Sequence, residues 1–223
     1  MNLQFSFGFG RGHSRLLLLL ILLLMLCPMA RSFAILVTFD DFLDTHNGGG
    51  TLITNKYQNL VWSNFAIGNA IIHTANNGPD GYFYGMLTVS NIITGAHGDP
   101  AEIDADGTNF NFFSAYLTGA WRSNLNVEVQ GFRSGSLVYD TIVLASATSP
   151  TLFSFNYLNV DRLYFSSSGG QYAGFSSDGL NFAMDNLTYE FVPEPSSLLL
   201  TAVGALSLCP LFRRKRTSPH MPS

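Results

Sequence analysis

Charge is scarce in this 223-residue sequence: Asp, Glu, Lys and Arg make up 12% of it, against the roughly 25% usual in a soluble domain. That shortage excludes a disordered acidic or basic polymer and a coiled coil. A net charge of −4 excludes a nucleic-acid-binding domain as well. Cysteine is scarcer still, with only Cys27 and Cys209, both inside apolar stretches near the ends. The region between them has no disulfide and must be held by its core, a metal, or both. No H-E-x-x-H, G-x-S-x-G or C-x-x-C occurs, so three common catalytic and redox signatures are missing. Helical periodicity is also short. From residue 35 to residue 195 no apolar stripe of period 3.6 persists for three turns.

What is present begins at the two ends. Residues 16–27 are twelve consecutive apolar side chains, preceded by Arg11, His13 and Arg15 and followed by the small residues Ser32 and Ala34. A basic flank, an apolar run and a small-x-small site predict a signal peptide over residues 1–34, cut after Ala34 or Ala30. Its partners are then the Sec export machinery and signal peptidase, a retained signal anchor being the alternative. Near the other end, Ser196–Phe212 is seventeen residues without a charge, ahead of Arg213, Arg214, Lys215 and Arg216. As a helix it spans about 25 Å, close to a ~30 Å hydrocarbon core. The four cations would hold its end in the cytoplasm, which predicts a C-terminal transmembrane helix rather than a buried one.

Residues 35–195 contain all fifteen acidic residues but only Lys56, Arg122, Arg133 and Arg162 as bases, a net charge of −11. Such a surface repels nucleic acid and anionic lipid. The same segment holds 14 Phe, 9 Tyr and 2 Trp, enough aromatic area for a core. Leu125, Val127 and Val129 alternate with Asn126, Glu128 and Gln130, the period of a half-buried strand. Residues 137–144, 152–157, 160–165 and 182–189 look similar, and 35–39, 60–65, 86–89 and 111–117 are earlier candidates. Arg133-Ser-Gly-Ser136 predicts a hairpin. Nine or ten short strands predict an all-β fold, an antiparallel β-sandwich of jelly-roll type, over residues 35–190.

Val192-Pro193-Glu194-Pro195 links this region to the apolar stretch. Two prolines can neither extend a ladder nor sit inside a helix, so they keep the link extended and accessible. Pro193, Glu194 and Pro195, the apolar span and the cluster Arg213, Arg214, Lys215 and Arg216 together resemble a PEP-CTERM sorting signal over residues 191–216, leaving 217–223 as a tail. The resemblance implies export, anchoring in the inner membrane and processing by an exosortase, a membrane-embedded transpeptidase-like enzyme. The product would then reside at the cell surface or in the extracellular matrix. Thr217–Ser223 runs past the point where that family often stops, and Cys209-Pro210 interrupts the usual span. Residues 37–189 are also similar to β-rich domains that precede this signal, through Thr38-Phe-Asp-Asp-Phe42, Val61-Trp-Ser-Asn-Phe65, Ser114–Trp121, Val129–Phe132, Phe165–Gly170 and Phe182–Leu187. That group implies no defined biochemistry.

No residue stands out as catalytic. The histidines after the leader are His46, His73, His97 and His220, and none has a spacing that pairs it with a nucleophile. Asp40 and Asp41 close the first strand while Asp185 and Asn186 lie in the last. In a jelly roll these strands run side by side, so the four are candidate ligands for a structural calcium, which wants six to eight oxygens; capping turns is the other reading. Asp99, Glu102, Asp104 and Asp106 read as a solvated acidic loop. Tyr82 and Tyr84, in Gly81-Tyr-Phe-Tyr-Gly85, would alternate onto one side of an extended segment and form a platform for sugar. Trp62 and Trp121 are the other candidate aromatics, Trp121 reading as core. The function expected is an exported, non-enzymatic cell-envelope or matrix protein that binds extracellular polysaccharide. A ligand-free structural or adhesive protein and a secreted glycan-active hydrolase are the alternatives.

Overall fold

The computed structural model describes residues 32–42, 47–54 and 56–193. The expected leader up to Arg31, Glu194, Pro195, the apolar stretch and its four cations lie outside the described residues, as do His46 and His220. Ser32–Val192 forms one compact unit. Twelve strands build it: β1 (Ile35–Val37), β2 (Thr51–Leu52), β3 (Val61–Ser63), β4 (Phe65–Asn69), β5 (Asn91–Gly95), β6 (Ala101–Asp104), β7 (Phe110–Gly119), β8 (Arg122–Arg133), β9 (Ser136–Ala145), β10 (Thr151–Val160), β11 (Arg162–Tyr172) and β12 (Phe182–Phe191). Two short helices, α1 (Ala70–Asn77) and α2 (Gly81–Gly85), separate β4 from β5. Among the described residues no helix is long and apolar enough to cross a membrane.

All the pairings are antiparallel. One sheet runs β10-β7-β12-β5-β4-β2 with β1 also on β12, and the other runs β3-β6-β11-β8-β9. The first and last strands do lie side by side, Val37 opposite Leu187 and Ile35 opposite Tyr189. From β5 onward the chain changes sheet at every connection except the β8–β9 hairpin. This is an all-β sandwich, and alternation is its cause. Leu125, Val127 and Val129 are fully buried, while the residues between them face out. The hairpin turn is Ser134-Gly135, both at positive φ, 49° and 78°, the combination a two-residue type I′ turn requires.

Aromatics fill the space between the sheets. Trp62 meets Phe65 edge-on at 5.3 Å, Phe65 meets Phe165 at 5.7 Å, and Phe165 stacks on Phe182 at 6.0 Å. Two expected elements come out differently. Residues 60–65 are not one strand, because Asn64 at φ 58° turns the chain from β3 in one sheet to β4 in the other. Residues 86–89 are not a strand either: Met86 caps α2 and the strand begins at Asn91.

Candidate functional site

A cavity of about 590 Å³ opens on the outer face of the first sheet, within the ~300–1,000 Å³ range of ligand pockets. Phe65, Ile67 and Ile93 point into the sandwich, so their neighbours Ala66, Gly68, Ile92 and Thr94 face the other way and form the cavity floor. The helices form its wall, and each starts for a local reason. The Asn69 side chain accepts from the Ile72 amide at 3.0 Å, and Asp80 Oδ1 accepts from the Tyr82 amide at 3.0 Å. Both are N-caps that satisfy helix-end donors. Gly48 closes the far side at φ 83°, and a Cβ there would lie 2.6 Å from the His73 backbone nitrogen.

Asp80 organises the wall. It is 1% exposed, and its Oδ2 accepts from His73 Nε2 at 2.8 Å and from Trp121 Nε1 at 3.3 Å. His73 Nδ1 lies 3.3 Å from the Gly48 carbonyl oxygen, so a protonated ring has an acceptor at each nitrogen. The hydrogen bond to Asp80 raises the His73 pKa, against the opposing effect of burial. Tyr82 is wedged edge-on between His73 at 5.1 Å and Trp121 at 5.4 Å. Burial pushes its phenol above the ordinary range, and Thr94 and Asn181 hydrogen-bond to it from the floor and rim.

The rest of the lining is amide-rich: Asn47, Asn69, Asn76, Asn77 and Asn181, with His97 at the edge. No carboxylate, serine or cysteine is among the described lining residues. Each asparagine offers both a donor and an acceptor, so the cavity can hydrogen-bond neutral hydroxyl or amide groups and rest an apolar face on Tyr82 or Trp121.

Tyr82 and Tyr84 do not form the expected platform. Asp80 caps a helical turn here, and residues two apart on a helix point to nearly opposite sides. Tyr82 turns into the cavity wall, whereas Tyr84 packs by Phe83 at 5.6 Å and Phe175 at 6.1 Å. Trp62 is core, 3% exposed, and Trp121, expected there too, is half-buried in the cavity wall.

Of the candidate calcium ligands, Asp40, Asp41 and Asp185 already accept hydrogen bonds within the protein, and Asp40 lies near enough to Asp185 to push its pKa upward. Asp40 Oδ1 accepts from the Asn91 amide at 3.3 Å, and Asp41 accepts from the Tyr57 hydroxyl. Asp185, fully buried, accepts from the amides of Leu87 at 2.9 Å, Thr88 at 3.3 Å and Asn186 at 2.7 Å. The Asn186 Oδ1 atom is buried with no hydrogen-bond partner among the described residues. No group of three His, Cys, Asp or Glu suited to a metal occurs among the described residues. Backbone amides from the loops around α2 and β5 thus take up oxygens of Asp40 and Asp185, while Asp41 is met by the Tyr57 side chain. Of the acidic loop, Glu102 pairs with Arg162 at 3.7 Å and Asp106 pairs with Lys56.

Sequence reasoning did not single out Asp80, His73 as a wall residue, or Asn181. The usable signal was Asn69 and Asp80 as N-cap residues before short helices.

No protein-family profile matches the chain, and no curated protein does. Among solved structures, it is similar to the K1 cleaved adhesin domain of Lys-gingipain from Porphyromonas gingivalis, at 8% identity over 74% of this chain and 99% of that one, with a TM-score of 0.37. It is similar to a family 29 carbohydrate-binding module from Piromyces equi, at 11% identity over 72% and 91%, TM-score 0.36. A family 89 glycoside hydrolase from Clostridium perfringens overlaps 43% of this chain but 11% of its own length, at 7% identity and TM-score 0.30. Likenesses this loose assign neither family nor ligand.

Proposed function

We propose that this is an exported, non-catalytic β-sandwich of jelly-roll type whose outer-face cavity binds a neutral glycan of the extracellular polysaccharide. The observation that carries the reading is the lining: five asparagines, two histidines and Thr94 beside Tyr82 and Trp121, with no carboxylate among the described lining residues. Sugar recognition needs paired donors and acceptors for hydroxyls and an aromatic surface for the apolar ring face. Glycoside hydrolysis needs two carboxyl groups roughly 5–10 Å apart across the bond. The acid nearest the wall, Asp80, is buried and already accepts three hydrogen bonds. The strand order β5-β12-β7-β10 against β6-β11-β8-β9 supports the jelly-roll reading.

Delivery is part of the same proposal. The leader would send the chain out through Sec, and Pro193-Glu194-Pro195 with the apolar stretch and basic cluster would present it to an exosortase-type enzyme. In support, the last strand ends at Phe191, the Val192 amide donates to the Asn109 carbonyl at 2.8 Å, and Pro193 is exposed. The compact unit Ser32–Val192 ends next to the segment proposed as the sorting signal.

Tryptophan fluorescence tests the cavity, because Trp121 lies in its wall while Trp62 is buried in the core. Neutral oligosaccharides are expected to shift the emission of the wild-type protein but not of Trp121→Phe. Calorimetry on Asn76→Ala, an exposed rim position, should show weakened binding with an unchanged melting temperature. Binding indifferent to both substitutions would move the ligand elsewhere. No binding to any neutral glycan would leave a ligand-free matrix role.

A further inference from the structure

Each sheet ends in one long edge strand, β10 on the first and β9 on the second, and the fold treats the two differently. β10 is blunted. Its pairing with β7 shifts register on either side of Tyr157, and Asn156 and Asn159 sit at φ 52° and 58°. The Arg133 guanidinium covers its end, donating to the Leu158 and Asn159 carbonyls at 2.9 and 2.6 Å. Bulges and covering side chains are how sheets keep other chains from adding to an edge.

β9 has a single register break at its start, where Phe132 pairs with Leu137 and Gly131 with Tyr139. It pairs without interruption from Tyr139–Ala145 to Gly131–Leu125, carries no Lys, Arg or Pro, and has Asp140 as its single charge. Every second residue turns its N–H and C=O away from β8. On the outer face Val138, Ile142 and Leu144 are 41%, 61% and 59% exposed, whereas Asn126, Glu128 and Gln130 cover the same face of β8. Between these two paired strands, the exposed apolar side chains are on β9, the one at the sheet edge.

We propose that β9 pairs antiparallel with β9 of a second copy about a two-fold axis at Thr141, joining two five-stranded sheets into one. The strand's own sequence selects this occupant. With Thr141 opposite itself, Val138 lies against the partner's Leu144, Tyr139 against the partner's Val143, and Asp140 against the partner's Ile142. The Val138–Leu144 and Tyr139–Val143 pairs set apolar against apolar, and no like charges face each other. An axis at Asp140 would set two carboxylates opposite one another, which destabilises a sheet pair.

The charge at position 142 tests both association and register. Sedimentation equilibrium of the full chain in density-matched detergent micelles is expected to show a dimer. Ile142→Asp places a carboxylate against the partner's Asp140 twice per dimer and should raise the dissociation constant about tenfold or more. Ile142→Lys places an ammonium there instead and should keep the dimer as tight as wild type. Within the protomer position 142 faces Glu128 of β8, so Ile142→Asp should also lower the melting temperature whereas Ile142→Lys should not; association is read separately, as the dissociation constant. A monomeric wild type overturns the proposal, and so does an equal response to Asp and Lys, which would trace any association to the terminal segments.

Discussion

At the scale of single residues, Asp80 connects most of the site. One carboxylate starts α2, orients the His73 ring and holds the Trp121 indole. An isolated buried charge would be costly, but three donors and a partner able to carry a proton compensate it. Replacing it leaves those donors facing a space without an acceptor. Asp80→Ala is therefore expected to lower unfolding free energy by about 3 kcal/mol, measured by urea denaturation. The same variant should lose glycan binding, since both aromatic walls depend on this anchor. Almost none of this was legible in the sequence. Asp80-Gly81 reads equally as a turn or a cap, and Tyr82 and Tyr84 alternate convincingly if the segment is taken as extended. The helix is five residues long, too short for any periodicity to show, and the cap decides the geometry.

Elements are where the sequence speaks most clearly. β8 and β9 are readable because a two-residue period, repeated over ten or more residues, has one physical solution: one face in the core and the other in solvent. Even their turn was visible, although Ser134 is an imperfect choice for its left-handed conformation at φ 49°. Asparagine tolerates that region better than serine because its side chain bonds locally. Ser134→Asn should therefore stabilise the protein by about 0.5 kcal/mol, seen as a small rise in melting temperature; the Ser134 amide's bond to Asp161 involves only backbone on the turn side. The failures have an equally local cause. Asn64 sends the chain from one sheet to the other by a single left-handed residue, and hydrophobic pattern does not register such a corner. Similarly, α1 is eight residues with Ile71 exposed, so its apolar face is too brief to stand out. The cavity gathers residues from six places along the chain, and its floor became visible only once β4 and β5 were paired.

For the whole molecule, two buried groups set an uncommon pH dependence. Burial pushes the Asp185 carboxyl from 3.8 up to about 6, against the opposing pull of the Leu87, Asn186 and Thr88 amides and with a small push from Asp40. The His73 pKa is also raised, by Asp80 first. Both groups bind protons more tightly folded than unfolded, so each contributes stability that is complete below its unfolded pKa and lost as pH rises through its folded one. For Asp185 the window runs from 3.8 to about 6 and is worth roughly 3 kcal/mol, at 1.36 kcal/mol per tenfold change; for His73 it begins near 6.5 and extends upward. The net charge of −11 on residues 35–195 acts in the same direction, since self-repulsion grows as carboxyls ionise. Asp178, lowered by its Arg122 partner, opposes the trend, but that pair is exposed and screened. Melting temperature should therefore be higher at pH 5 than at pH 8. Asp185→Asn should flatten the lower part of the curve and His73→Gln the upper part, each leaving the other part in place. A wild-type curve rising from pH 5 to pH 8 would mean that Asp185 is ionised at no cost in the folded protein, and that its three amide donors outweigh its burial.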